Sequence, residues 1–194
     1  MQRLTENTIE DIVNRSVNHK NMNNHNDLNI NKKYKVLFVC LGNICRSPAA
    51  QTVMEQLVES KGLQSVIECD SAGTYSGHTG EKADPRMRSA ASRRGINITH
   101  RARQVRSDDF DHFDMIVAMD DSNYDKLFRL APTAEATDKI YRMCEFFGES
   151  YSRDWSYVPD PYYEGAEGFE LVLNLLEDGC ANLLSRLELP LENE

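Results

Sequence analysis

Long apolar runs are missing from these 194 residues. None approaches the ~18 residues expected of a membrane span, so no membrane role is expected. The first 30 residues hold no apolar core stretch of the kind a secretory signal needs. Basic residues are also short: 22 Lys and Arg against 31 Asp and Glu leave a net charge of −9. That balance argues against nonspecific binding to nucleic acid or an anionic membrane surface. The five cysteines, Cys40, Cys45, Cys69, Cys144 and Cys180, are odd in number and scattered. They form neither a disulfide framework nor a repeated zinc-ligand spacing, and a reduced, cytoplasmic protein is the expectation. His78, His100 and His112 are dispersed, so no metal and no cofactor are expected. No internal repeat is present.

What the chain does have is one dense stretch, Cys40-Leu-Gly-Asn-Ile-Cys45-Arg46-Ser47. It follows the apolar run Val36–Val39 and precedes a helical pattern beginning near Pro48. A strand therefore feeds a tight loop that opens a helix. Cysteine begins the loop and arginine stands six residues later. Backbone N–H groups of such a loop curl around one dianion, and the helix N-terminus adds partial positive charge. Those surroundings lower a cysteine pKa to roughly 3.5–7.5, which suits Cys40 as a nucleophile. Arg46 offers a planar fork matched to phosphate oxygens. Gly42 keeps side chains off the anion, and Asn43 tolerates left-handed geometry while bonding its own loop. Ser47 can donate its hydroxyl to the Cys40 sulfur.

Attack by sulfur on a phosphoryl group requires a proton for the departing oxygen. Val158-Pro-Asp160-Pro161-Tyr162-Tyr163 has the features of a rigid donor loop, with proline on both sides of Asp160 and two tyrosines as an aromatic wall. Taken alone, it also reads as an ordinary Pro/Asp turn.

Together these segments resemble the low-molecular-weight protein tyrosine phosphatases. The matching residues are Val39-Cys40-Leu-Gly-Asn-Ile-Cys-Arg-Ser47, Asp70-Ser-Ala-Gly-Thr74, Asp84-Pro-Arg86, Ala102-Arg-Gln104, Phe113-Asp114, Met119-Asp120-Asp-Ser-Asn123 and Asp160-Pro-Tyr-Tyr163. The resemblance runs from about Lys35 to about Leu187. It implies an α/β fold of the phosphotyrosine phosphatase I type: a twisted, parallel four-stranded sheet in three layers. It also implies Cys40 as nucleophile, Arg46 as phosphate clamp and Asp160 as general acid, then base. Leu41, Gly42, Asn43, Ile44, Cys45, Ser47, Tyr162 and Tyr163 would bind the substrate. Cys45 would either trap oxidised Cys40 as a disulfide or only pack beneath the loop. Phosphotyrosine proteins, a tyrosine kinase among them, would be partners, and the chain would be a monomer or weak dimer.

Three neighbouring activities fit less well. A thiol-coupled arsenate reductase needs a cysteine pair after Gly77, and no cysteine lies between Cys69 and Cys144. Phosphoarginine phosphatases of this type carry threonine at the position of Ile44. A phosphotyrosine-binding module needs no proton donor. Two departures bear on specificity. Many bacterial relatives carry tryptophan where Gly77 stands, and mammalian ones carry a histidine, part of the network behind the loop, where Arg94 stands.

Residues 1–33 read as a flexible extension, with a short amphipathic helix marked by Leu4, Ile9, Ile12 and Val13. Residues 34–190 read as the catalytic domain. Within it, strands are expected at Val36–Val39, Val66–Cys69, Met115–Ala118 and Lys139–Tyr141. Helices are expected at Ala49–Ser60, Asp84–Arg94, Ser122–Leu130 and Phe169–Leu187. Alternating strands and helices argue independently for a parallel sheet with helices on both faces. The Cys40 loop then sits at the C-terminal strand ends, where such folds hold ligands. Glu145–Phe147, Trp155 and Tyr157 read as packing residues. Arg93, Arg94, Arg101 and Arg103 read as supports for the loop and for Asp108 and Asp109.

Overall fold

In the computed structural model residues 33–187 are described. The helix expected near Leu4, most of the N-terminal extension and the last residues of the expected domain lie outside this range. Four strands form one sheet: β1 (Tyr34–Cys40), β2 (Ile67–Gly73), β3 (Met115–Ala118) and β4 (Ile140–Arg142). Their order is β2-β1-β3-β4 and every pairing is parallel. Helix α1 (Arg46–Ser60) links β1 to β2. Helices α2 (Pro85–Arg93) and α3 (Asp109–His112) lie between β2 and β3. Helix α4 (Asp121–Leu130) and the single turn α5 (Ala134–Thr137) lead to β4. After β4 come the turn α6 (Glu149–Ser152) and the long α7 (Ala166–Arg186), with single 3-10 turns at Met143–Phe146 and Pro161–Tyr163.

The two-residue period of β1 builds both cores. Val36, Phe38 and Cys40 face one way and pack with α1, α2 and α7, while Leu37 and Val39 face the other way with α3, α4 and α5. Because both faces are covered, β1 and β3 read as continuous apolar runs. Phe38 is fully buried, and truncating it to alanine would cost about 3–5 kcal/mol.

Helix limits follow local chemistry. Asp84 caps α2 by accepting from Arg86 N at 2.8 Å, Pro85 occupies its first turn, and Gly95 adopts φ +77° just beyond its end. Asp120 caps α4 through Asn123 N at 2.7 Å. Three expectations change. Strand β2 continues through Asp70–Gly73, poor strand formers held by pairing along the whole length of β1, as far as Cys40 with Gly73. Helix α1 begins at Arg46, inside the loop motif, with Cys45 O accepting from Ala49 N at 3.3 Å and no side chain capping the start. Tyr157 is exposed rather than packed, whereas Phe146, Phe147 and, partly, Trp155 join the core.

Candidate active site

The end of β1 delivers Cys40 to the mouth of the sheet, with 2% of its surface exposed. The chain then turns through residues 41–45 and enters α1 at Arg46. The turn depends on Asn43, a buried non-glycine residue at φ +56°. Its side chain bonds in four directions. Nδ2 donates to Ser47 Oγ and Ser71 Oγ, each at 2.9 Å, and Oδ1 accepts from Arg103 N and pairs with His100 Nε2, each also at 2.9 Å. With both amide ends satisfied, the left-handed backbone of Asn43 is over-determined. Gly42 faces the His78 ring, and a Cβ there would stand 3.1 Å from it.

The Cys40 sulfur lies 3.0 Å from Ser47 Oγ and accepts from the Asn43 N–H at 3.3 Å. Ser47 has one proton and two candidate acceptors, since its hydroxyl is also aimed at Ala72 O at 3.2 Å. With Cys40 a thiol, S–H can donate to Ser47 while Ser47 donates to Ala72. With Cys40 a thiolate, the Ser47 proton turns to sulfur.

Arg46 is buried, and its two terminal nitrogens donate three hydrogen bonds. Nη1 donates to Asp120 Oδ2 and, at 3.0 Å, to Val158 O, while Nη2 donates to Asp160 Oδ2 at 2.9 Å. Burial opposes its charge, but Cys40, Asp160 and Asp120 outweigh that and hold Arg46 protonated. Asp160 caps the 3-10 turn, accepting from Tyr162 N at 3.2 Å, and its side chain is 39% exposed. Cys45 is buried, and that burial, with Asp84 next in weight, pushes its thiol far above the usual range. His100 is pushed down by burial and by Arg103, against the pull of Asp70.

The expected residues Cys40, Arg46, Asp160, Leu41, Gly42, Asn43, Cys45 and Ser47 thus converge. Leu41 and Tyr162 are each 40% exposed and Tyr163 is 91% exposed, with the two tyrosine rings edge-on at 5.1 Å. Ile44 is buried in the core beneath the loop, so it presents little to a rim. Arg94 stands away from the loop, bonding Glu170 and Glu177 of α7 at 2.6 and 2.7 Å. The histidine behind the loop is instead His100. Arg103 supports the loop, pairing with Asp70 and Asp109 at 2.8 and 3.0 Å.

Sequence reasoning passed over three participants. Asp120 stands in the matching segment Met119–Asn123, but its oxygen Oδ2 serves Arg46, and spacing carries no signal for that. Tyr75 and His78 form an edge-on pair at 6.0 Å, with Tyr75 N bonded to Leu41 O at 2.9 Å. A Cβ on Gly77 would meet the Tyr75 ring at 2.2 Å. Tyr75 therefore fills the space that a tryptophan at position 77 would occupy. Among the described residues no three His, Cys, Asp or Glu side chains are grouped to hold a metal ion, and no helix is long and apolar enough to cross a membrane.

Comparison with known proteins agrees with this geometry. Residues 35–192 match the family model for low molecular weight phosphotyrosine protein phosphatase. A putative low molecular weight protein-tyrosine-phosphatase of Synechocystis is 46% identical, covering 82% of this chain and 99% of its own length. A protein tyrosine phosphatase from Entamoeba histolytica, crystallised with Hepes in its active site, superposes with a TM-score of 0.77 at 46% identity, over 80% of this chain and 97% of that one. An arginine phosphatase of Drosophila superposes with a TM-score of 0.73 at 32% identity, over 80% of this chain and 99% of that one. On sequence, fold and loop together, the chain belongs to the low molecular weight protein-tyrosine-phosphatase family, which are hydrolases.

Proposed function

We propose that this phosphatase hydrolyses phosphotyrosine through a cysteinyl-phosphate on Cys40. The observation that carries the reading is the grouping of Cys40 Sγ with one loop N–H, one hydroxyl, one buried guanidinium and one carboxylate on that guanidinium. A phosphate entering the loop takes the Arg46 Nη2 donor from Asp160, and the freed carboxylate takes up a proton from water and turns to the leaving oxygen. The Cys40 lone pair forms the S–P bond, the P–O ester bond breaks, and the Asp160 proton passes to the phenoxide. Water then attacks phosphorus and gives its proton to Asp160. The S–P bond breaks, inorganic phosphate leaves, and the Ser47 hydroxyl donates to the departing thiolate. Preorganised N–H groups, Arg46 and the α1 N-terminus stabilise the charge on the phosphoryl oxygens.

The exposed side chains of Leu41, Tyr75, Tyr162 and Tyr163 offer apolar surface for a phenyl ring. On this reading a phosphotyrosine ring lies on that surface while its phosphate reaches the loop, and phosphoserine is too short to do both. The five cysteines are free, in keeping with a reducing compartment such as the cytoplasm. The same reading takes an autophosphorylated tyrosine kinase as one substrate and the chain as a monomer or weak dimer.

The test is turnover of phosphotyrosine and phosphoserine peptides by the wild type, Cys40→Ser and Asp160→Ala. Cys40→Ser should fold and not turn over. Asp160→Ala should lose roughly 10²–10⁴-fold, more on phenyl than on p-nitrophenyl phosphate. Equal wild-type rates on both peptides would defeat the phosphotyrosine assignment, and an active Cys40→Ser would defeat the mechanism.

A further inference from the structure

The segment that carries Asp160 has little packing of its own. Between Val158 and Phe169 only Pro161 is buried. A loop so exposed is not held within the tolerance that proton transfer requires unless something ties it down. Arg46 holds the Asp160 carboxylate and Val158 O, and a second tie, on the far side of Asp160, is an arginine that takes no part in the reaction as derived above.

Arg86, in the first turn of α2, forks onto Asp84. Nε donates to Oδ1 at 3.1 Å and Nη2 to Oδ2 at 2.8 Å. Its remaining nitrogen, Nη1, donates to the backbone carbonyl of Tyr162 at 3.0 Å. The guanidinium also lies over two rings, 5.2 Å from the centre of Tyr162 and 5.0 Å from that of Phe169 at the start of α7. On one side, Asp84 N donates to Ile44 O at 2.7 Å, inside the Cys40 loop. On the other, Tyr162 N donates to Asp160 Oδ1 at 3.2 Å. An unbroken path therefore runs from Ile44 through Asp84, Arg86 and Tyr162 to Asp160. The fork grips Asp84 firmly, holding that carboxyl below the usual carboxylate range, so Arg86 is itself fixed to the helix cap beside the loop.

We propose that Arg86 is a positioning residue of the reaction, docking the Asp160 loop onto the Cys40 loop and setting where the acid meets the leaving oxygen. The inference rests on Asp160 as general acid. It requires no contact between Arg86 and the substrate. A misplacement of about 1 Å in such a group costs up to ~10²-fold in rate, and the loss falls on the step that needs the proton. Lysine at this position keeps the charge but has no fork to hold Asp84 and Tyr162 together.

The experiment measures kcat/KM on phenyl and p-nitrophenyl phosphate for the wild type, Arg86→Ala, Arg86→Lys, Asp160→Ala and the Arg86→Ala/Asp160→Ala double variant. Inhibition by inorganic phosphate is measured alongside. Arg86→Ala should lose about 10-fold or more on phenyl phosphate and under ~3-fold on p-nitrophenyl phosphate. Phosphate inhibition should stay within about 2-fold of wild type, because the Cys40 loop is intact. Arg86→Lys should fall between. In the Asp160→Ala background, Arg86→Ala should cost nothing further, since the group it positions is gone. Equal losses on both leaving groups, or the same loss repeated in the Asp160→Ala background, would overturn the inference while leaving Asp160 as the acid. If Asp160→Ala alone shows no leaving-group dependence, the acid assignment itself fails. Should Arg86→Ala not fold, Arg86→Gln, which keeps a polar stem but not the fork, carries the same comparison.

Discussion

Arg46 Nη2 donates to Asp160 Oδ2 at 2.9 Å, so the proposed phosphate clamp and the proposed acid hold one another. The other half of the fork stays on Asp120. Arg46 must therefore serve two directions at once, which only a planar multi-donor group does.

That demand gives the first prediction. Arg46→Lys should lower kcat/KM on p-nitrophenyl phosphate by about 100-fold or more, equivalent to about 2.7 kcal/mol. Competitive inhibition by inorganic phosphate should weaken in parallel. Retention of tight phosphate binding would show that the fork is not the clamp.

Asn43 combines a left-handed backbone with four side-chain hydrogen bonds. Asn43→Ala leaves buried partners unmet, at about 1–3 kcal/mol for each such group. A total loss of about 2 kcal/mol or more should lower Tm by roughly 4–8 °C in a chain of this size. Asn43→Gly removes the backbone strain but restores none of the bonds, so it should recover only a small part. Thermal unfolding of the three proteins checks this, and full recovery by glycine would mean the bonds contribute little.

Burial, the largest cause, depresses His100 below its ordinary value of 6.5. The unfolded chain then binds the additional proton first. Stability from neutral His100 is complete above about pH 6.5 and declines as pH falls below it. His100→Gln, which can still donate to Asn43 Oδ1, should flatten the Tm profile between pH 7 and 5.5. Coincident slopes in wild type and variant would rule out His100 as the group that titrates.

Cys45 bears on oxidation. It is buried, and burial keeps it a thiol, so peroxide should meet Cys40 first and form a sulfenic acid with loss of activity. If Cys45 then closes a disulfide with the release of water, dithiothreitol should restore the wild type, while Cys45→Ser should lose activity largely irreversibly. Equal recovery of both would leave Cys45 a packing residue.

The sequence by itself determined the fold class and most of the candidate catalytic loop. Cys40, Asn43, Arg46 and Ser47 are close in the chain, so their geometry follows from one strand, one turn and one helix start. Met115–Ala118 was legible because a short apolar run has no other stable home, and the helix start at Asp84 because capping is local chemistry. The turns at Asp109–His112 and Ala134–Thr137 were not legible, since four residues are too few to show a period. Strand β2 outran its apolar residues because a partner strand, not propensity, extends it. Only the tertiary structure decided that Asp120 and Asp160 share one guanidinium, that His100 rather than Arg94 stands behind the loop, and that Tyr75 fills the space above Gly77. These pairings join residues separated by up to 114 positions, or depend on which way a side chain turns. Both are set by packing across the sheet, and no spacing along the chain encodes them.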